Sequence, residues 1–489
     1  MSRRFRSRCS AAALACLAAP ALAQSPSDMP DVAARLTGAA MTRGGAIAFL
    51  QQLTDTIGGR VTGSPESKAS AELLLETLRQ AGLSNVHAEE WTLQSRWRRG
   101  RASGAIRQPI ERPILVQSFG WAPGTPGPIE GPLVDLGTPA GADVPLERVR
   151  DAIVLADFKE AKGEKPYVIR AMLAPRLAAA GARALIVPSD KGDRLLDIGC
   201  FGNFPKAALP MLSVAREDAA LLRRLLAKGP VRLGLDLENT LDASPSTERN
   251  VVAEIPGRSL PDEVVLLGAH FDSWDTGQGA NDNGSGVATV VEAARLLREL
   301  GLSPRRTIRF VFFSGEEQAL LGSHAYADAH APELDRLRAV LVIDAGVGFD
   351  QTPRGFVLQG RTDLEGPLKS VLAPLSPLGA SGVKQDPSFD TDHAFFSVAG
   401  VPAFPLWVDD GAYESHHHAS TDTFERVDAK LLALDTAVMA IAAYAIADAE
   451  QPIGRRLTPA ESQELLRKSG MASSYRLLTG HDPARPGAP

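Results

Sequence analysis

The chain has 489 residues, 44% hydrophobic and 22% charged, with a formal net charge of −6 at pH 7, which excludes a disordered or fibrous chain and fits a folded globular one. Its length exceeds one ordinary core and predicts about three domains, or one domain carrying large insertions. The acidic balance argues against nucleic acid as a natural partner, because affinity for a phosphate backbone comes from surplus Lys and Arg.

Residues 1–23 read as an export signal. Arg3, Arg4, Arg6 and Arg8 form a basic start, residues 11–21 a short apolar stretch, and Ala21-Leu22-Ala23 a small-x-small cleavage site. The Arg pair after Ser2 hints at the twin-arginine route. The apolar stretch is too short to cross a bilayer, and no membrane span is expected, so the mature chain belongs in the periplasm or outside the cell. Cleavage lowers Lys plus Arg from 52 to 48 against 58 Asp plus Glu, giving a net charge of −10. Cys9 and Cys16 leave with the signal and only Cys200 remains. An internal disulfide is therefore impossible, and stability must come from the core and any metals.

Residues 31–83 carry two helical patterns, the second opening at Ser64-Pro65-Glu66 and closing near Gly82. The loop between them reads Gly58-Gly59-Arg60-Val61-Thr62-Gly63. Residues 86–93 and 114–118 read as strands, so 31–118 is assigned to the first part of a catalytic domain. A Pro/Gly cluster, Trp121-Ala122-Pro123-Gly124-Thr125-Pro126-Gly127-Pro128, then marks a change of composition. From there to about residue 245 the chain shows short strands with one helix, and no cluster of His and acids with ligand spacing. Residues 119–245 are read as an inserted β-rich module that shapes access to the site. The α/β pattern returns over 246–450 and closes with a long Ala-rich helix at 427–449. Residues 451–489 are a polar, Pro-rich tail whose last residues are expected to be disordered.

The chemistry is concentrated between residues 263 and 423. Apolar runs at 264–269, 308–313 and 339–343 end in His270-Phe271-Asp272, Gly315-Glu316-Glu317 and Asp344, and a Gly-rich loop carries Asn281-Asp282-Asn283. In an open α/β sheet the carboxyl ends of the strands face the ligand crevice, so these groups should converge. In H-x-D both side chains fall on one face of a strand, and the Asp can accept the second imidazole proton. Adjacent carboxylates after an apolar strand face a large desolvation cost unless a cation compensates them. Taken singly, Asp282 reads as a helix cap, Asp344 as a turn residue, and the histidines of Tyr413-Glu414-Ser415-His416-His417-His418 as a polar loop. Together they make a five-ligand set suited to two Zn²⁺ bridged by one carboxylate.

The ordered series HxD, NDNGSG, SGEE, VID and HHAST-D-T resembles the co-catalytic zinc exopeptidases of metallopeptidase family twenty-eight, most closely its carboxypeptidase Q-like branch, over roughly residues 35–450. The resemblance implies a zinc-exopeptidase α/β fold, a mixed-sheet sandwich with an inserted protease-associated-like domain. It implies two Zn²⁺ per chain, His270 and Asp344 on one, Glu317 and His418 on the other, and Asp282 bridging. Glu316 would be the general base and Asp272 the partner of His270. His417 is the fallback for His418, because Ala419 stands where the family has Thr. A non-proline cis peptide is implied at Asp282-Asn283, and a supporting role for Asp392-His393. The implied substrates are dipeptides or short peptides, and a homodimer is allowed. Carboxypeptidase and aminopeptidase action both remain open, with Arg354, Arg361 and Tyr413 as weak candidates for recognising a terminus. A receptor-like binding protein on the same fold should have lost ligands, and a one-zinc acyltransferase should need fewer. No G-x-S-x-G elbow supports a serine hydrolase.

Overall fold

Eight strands build the sheet on which the polar tips sit. Across it the order is Ser84–Leu93, Ser246–Ile255, Arg306–Phe313, Leu260–His270, Leu337–Val342, Ala403–Val408, Pro353–Val357 and Gly382–Lys384. The computed structural model describes residues 28–141, 144–199, 203–344, 351–409 and 411–480. The export signal, Cys200 and the end of the tail lie outside these residues.

The four strands from Arg306–Phe313 to Ala403–Val408 run parallel. Parallel neighbours need crossover connections, and the helices Gly286–Glu299 and Leu321–Ala329 supply two of them. Both faces of these strands are therefore covered. Val265, Leu267 and Ala269 pack into a core with the helices Gly286–Glu299 and Ala429–Asp448, while Val264 and Leu266 pack on the other face with Tyr326 and Phe396. A strand buried on both sides has no polar alternation, which explains why these stretches read as unbroken apolar runs. Ala429–Asp448 is, among the described residues, the one helix long and apolar enough to cross a membrane. Here it is a core helix, buried along most of its length beneath the sheet.

At the N-terminus the structure has three helices, Met29–Arg43, Ala46–Thr56 and Pro65–Gln80, where the sequence pattern suggested two. Gly44-Gly45 breaks the first pattern. Ser64 caps the third helix, its side chain accepting from the Ser67 amide, and Gly82 follows it at φ 74.

A second eight-stranded sheet has the order Arg112–Ile114, Ala102–Gln108, Arg232–Leu237, Ile129–Asp135, Ile153–Leu155, Ala184–Pro188, Met211–Val214 and Val116–Ser118. Two expectations need correction. The boundary placed at residue 119 falls inside this sheet, whose first strand begins at Ala102. That strand, ASGAIRQ, buries only Ile106, so it offered no apolar alternation to read. The module also holds two helices, Pro166–Ala179 and Arg216–Leu226, not one. The second carries a clear apolar stripe around the buried Ala219 and Leu222 with charged residues opposite, a helical signal that the sequence reading passed over.

The tail is more structured than its polar composition suggested. Thr458 and Glu461 form a capping box at the start of Pro459–Lys468, and Ala472–Thr479 follows. Ser474 Oγ lies 2.6 Å from Tyr167 Oη on the module's first helix.

Candidate active site

Parallel pairing brings the strand tips to one edge. His270 is level with Phe313, and Gly268 with Val342, so His270, the Glu316-Glu317 turn and Asp344 emerge side by side. Gly315 makes the turn at φ 76, and a Cβ there would meet the Trp91 ring at 3.0 Å. Glycine alone fits that position easily. Asp282 comes from the loop before the helix Gly286–Glu299, and His418 from the loop after the strand Ala403–Val408.

All five expected ligands meet. His270 Nε2 is 2.7 Å from Asp344 Oδ1 and 3.4 Å from Asp282 Oδ1. His418 Nε2 is 2.9 Å from Glu317 Oε2 and 3.3 Å from Asp282 Oδ2. One oxygen of Asp282 thus faces each histidine–carboxylate pair. His417 Nε2 also approaches Asp282 Oδ2, at 3.6 Å, and with Asp282 and His418 forms a group close enough to share a metal; His418 is the one that also meets Glu317. His416 turns aside to Thr421 at 2.7 Å. Glu316 sits on the His270 side, its Oε2 3.9 Å from Nε2, and its donor atom lies within 4.8 Å of those of His270 and Asp344. The Asp282–Asn283 peptide is cis, as the resemblance implied.

The surroundings hold this arrangement from behind. The expected link between Asp272 and His270 is present but different in form: His270 Nδ1 lies 3.1 Å from the Asp272 carbonyl oxygen and 3.6 Å from its carboxylate. The carboxylate instead accepts from the amides of Glu316 (3.2 Å) and Glu317 (3.3 Å) and from the Thr62 hydroxyl (2.8 Å). Asp272 therefore fixes the acidic turn as well as the histidine. Asp422 accepts from the amides of Asn281 (2.7 Å) and Asp282 (3.2 Å), and Asn283 Nδ2 donates to the Ile343 carbonyl at 2.9 Å. Arg60, fully buried, donates to the carbonyls of Phe271 (2.6 Å), Gly58 (3.0 Å), Gln278 (2.8 Å) and Gly279 (2.9 Å). It ties the His270 strand end to the loop that leads to Asp282.

Too many carboxylates share this pocket for all to be ionised without a cation. Burial, reinforced by Asp344, Glu317 and Asp392, pushes Glu316 well above the usual carboxylate range. Burial and Asp282 push Glu317 up to about 7, and burial also raises Asp344 against the pull of His270. Burial opposes the charged form of His270, yet Asp344 and Glu316 hold it well above its ordinary value. Like charges crowded in a dry site favour a metal in their midst. The donors fit zinc, which takes imidazole nitrogen and carboxylate oxygen together.

Asp392 and His393 are both buried, and neither joins the metal-competent groups found among the described residues. Arg354 is bound to Asp409 at 2.8 Å. Arg361 is not a surface residue: it is buried and held by Asp363 at 2.8 Å. Tyr413 lines the cleft, its ring 5.0 Å from that of His417. Sequence reasoning passed over Arg60 and the structural role of Asp422. A lone Arg in a Gly-rich loop looks like any solvated residue, and Asp422 served only to mark the histidine four positions earlier.

Residues 250–444 match the model of peptidase family M28. Over 411 residues the chain is 32% identical to carboxypeptidase Q of Rattus norvegicus, covering 82% of this chain and 85% of that protein. The chain belongs to peptidase family M28. An M28 peptidase precursor from Shewanella amazonensis, 27% identical, matches with a TM-score of 0.76 over 88% of this chain and 99% of its own. BSAP, a zinc aminopeptidase from Bacillus subtilis, is 22% identical and shares the M28 fold with a TM-score of 0.64, covering 85% of this chain and 97% of its own. As an M28 enzyme the protein is an exopeptidase whose substrate is a peptide, and its polar strand tips are the place to look for the chemistry.

Proposed function

We propose that this M28 peptidase is an exported dizinc exopeptidase acting on dipeptides or short peptides, as a carboxypeptidase Q-like enzyme. The observation that carries this reading is Asp282, whose two oxygens point to two separate pairs, His270 with Asp344 and His418 with Glu317. Each pair with its share of Asp282 makes a three-donor site, which leaves room for water or substrate. When bound, two zinc ions supply Lewis acidity that lowers the pKa of water and stabilises developing negative charge.

The remaining work falls to the chain itself. Glu316 carries the proton, taking it from the attacking water and returning it to the leaving amine. Asp272 grips the amides of Glu316 and Glu317 and so aims both carboxyl groups. Arg60 and Asp422 keep the Asp282 loop in register with the strand tips. A cleft of about 800 Å³ opens beside Asp344 and His417, walled by Tyr167 of the inserted module, Trp407, Tyr413 and Ser474 of the tail. That volume suits a short peptide rather than a folded protein. Export follows from residues 1–23 and keeps such an enzyme among extracytoplasmic peptides.

A second reading, aminopeptidase action, is favoured by the charge of the cleft. Of its lining acids, Glu160 and Asp386 are paired with the two lysines, Lys165 at 3.4 Å and Lys384 at 2.6 Å, and Asp344 faces the metal position, which leaves Asp390 and Glu414 as the surplus charge. Such a wall attracts an ammonium and repels a free carboxylate. Hydrolysis of dipeptides blocked at one end separates the two. If N-acetylation abolishes turnover and C-amidation does not, the enzyme reads the amino terminus. The opposite result assigns carboxypeptidase action, and equal turnover of both blocked forms refutes exopeptidase action.

A further inference from the structure

The inserted module does more than border the cleft. His418 has a left-handed backbone, φ 54, a conformation that costs energy in any residue with a side chain and persists only where neighbours impose it. Three of its neighbours belong to the module. The Ile198 amide donates to the His418 carbonyl at 3.2 Å. Gly199 lies flat against the imidazole, so that a Cβ on it would stand 2.4 Å from Nδ1 and 2.9 Å from Cε1. Asp197 Oδ1 is 3.8 Å from the same Nδ1. The other ring nitrogen, Nε2, faces Glu317 and Asp282.

Two further contacts anchor this segment. Ile198 is buried in an apolar cluster with Val61, Trp97, Trp121 and Trp274, and the Trp274 ring stands edge-on to His418 with centroids 6.0 Å apart. Lys191, also from the module and nearly fully buried, donates from Nζ to the Glu414 carbonyl at 2.7 Å, gripping the histidine loop a second time.

We propose that Asp197–Gly199 is a clamp on His418, through which the inserted module sets the occupancy of the metal position formed by Asp282, Glu317 and His418. A neutral imidazole that binds metal through Nε2 carries its proton on Nδ1, and an acceptor there fixes both tautomer and ring direction. Asp197 is the carboxylate nearest that nitrogen: at 3.8 Å it lies beyond direct hydrogen-bond reach, and its charge favours the proton on Nδ1. The Ile198 amide holds the backbone in its strained form, and the bare Gly199 lets the ring sit where Nε2 meets both acids. The three are positioning residues, acting through His418. Among the described residues the His270 and Asp344 position has no such contact with the module, so the two metal positions should respond differently when the clamp is altered.

This inference rests on the dizinc reading, and the test separates the two. Zinc bound per chain is measured on the full mature protein across a series of buffered free-zinc concentrations, with thermal melts of each zinc-loaded sample. The wild type should show two binding steps. Asp197→Asn should weaken one of them by about 10–100-fold and leave the other unchanged. Gly199→Ala should weaken the same step at least as much. Asp197→Glu, which keeps the carboxylate, should stay closer to wild type than Asp197→Asn. Asp193→Asn, an exposed change in the same loop, should alter neither step. Should Gly199→Ala fail to fold, the isosteric Asp197→Asn still decides. Wild-type affinities in both Asp197→Asn and any folded Gly199→Ala protein overturn the clamp, and so does an equal weakening of both steps. A wild type that binds fewer than two zinc ions overturns the dizinc reading itself, and the clamp with it.

Discussion

Replacing Asp272 with Asn tests the acidic turn at its support. Asp272 is fully buried; Oδ1 accepts from the Glu316 amide at 3.2 Å, and Oδ2 from the Glu317 amide at 3.3 Å and the Thr62 hydroxyl at 2.8 Å. Asparagine is isosteric but has one acceptor oxygen. If that oxygen takes the place of Oδ2, the amide group faces the N–H of Glu316, donor against donor. If it takes the place of Oδ1, the Glu317 contact is lost instead. Either way at least one hydrogen bond to a charged acceptor disappears, a loss of about 1.5–3 kcal/mol. Because Glu316 acts in the transition state, that loss should appear mainly in kcat, as a fall of about 10- to 150-fold with little change in KM. The assay is steady-state hydrolysis of an unblocked dipeptide, with zinc content measured on the same sample. Activity within about threefold of wild type, in a folded and zinc-loaded Asp272→Asn protein, would refute the claim that this carboxylate aims the turn.

Three more predictions address other parts of the account. Glu316→Gln should lower kcat by about 10²–10⁴-fold while leaving zinc content unchanged, as expected of a proton carrier; a drop in zinc would instead make Glu316 a ligand, a role its place beside His270 and Asp344 allows. Arg60→Met keeps the apolar stem but removes the side-chain donor from four carbonyls, of which, among the described residues, only Gly279 keeps another, the Gly284 amide, and chemical denaturation should show a loss of about 3 kcal/mol or more, at about 1 kcal/mol or more for each carbonyl left bare. Glu248, which accepts from the Gly63 amide at 3.1 Å and the Ser67 hydroxyl at 3.1 Å, is pushed by burial from 4.5 up to about 7. The unfolded chain ionises this group first, so stability falls as pH rises from about 4.5 through about 7, by up to about 3 kcal/mol. Glu248→Gln should therefore raise Tm at pH 8 and leave it nearly unchanged at pH 4.5.

The site was legible where chemistry follows from the pattern of the chain. The runs at 264–269, 308–313 and 339–343 are apolar because both faces of those strands are covered, and they stop at polar residues because the strands there open onto the crevice. That placement, with the family motifs, singled out Asp282 and four residues gathered about it, His270, Asp344, Glu317 and His418. What stayed hidden depends on neighbours far apart in sequence. Asp272 and the amides of Glu316 and Glu317 meet only because two parallel strands end level with each other. Arg60 serves backbone carbonyls, which leave no mark on residue identity. Asp197, in a loop with no ligand spacing, reaches His418 only because the module folds back over the histidine loop. The strand Ala102–Gln108 went unread because only Ile106 in it is buried, and hydropathy reports burial rather than hydrogen bonding; the helix Arg216–Leu226 was legible from its amphipathic stripe and was passed over.

The proposed chemistry requires a pair of cations sharing Asp282. Anomalous diffraction at the zinc edge from crystals of the zinc-loaded protein measures this directly. Two peaks about 3.5–4 Å apart are expected, one beside His270 and Asp344 and the other beside His418 and Glu317, with Asp282 between them. A single peak, or two peaks that do not both touch Asp282, would contradict the account.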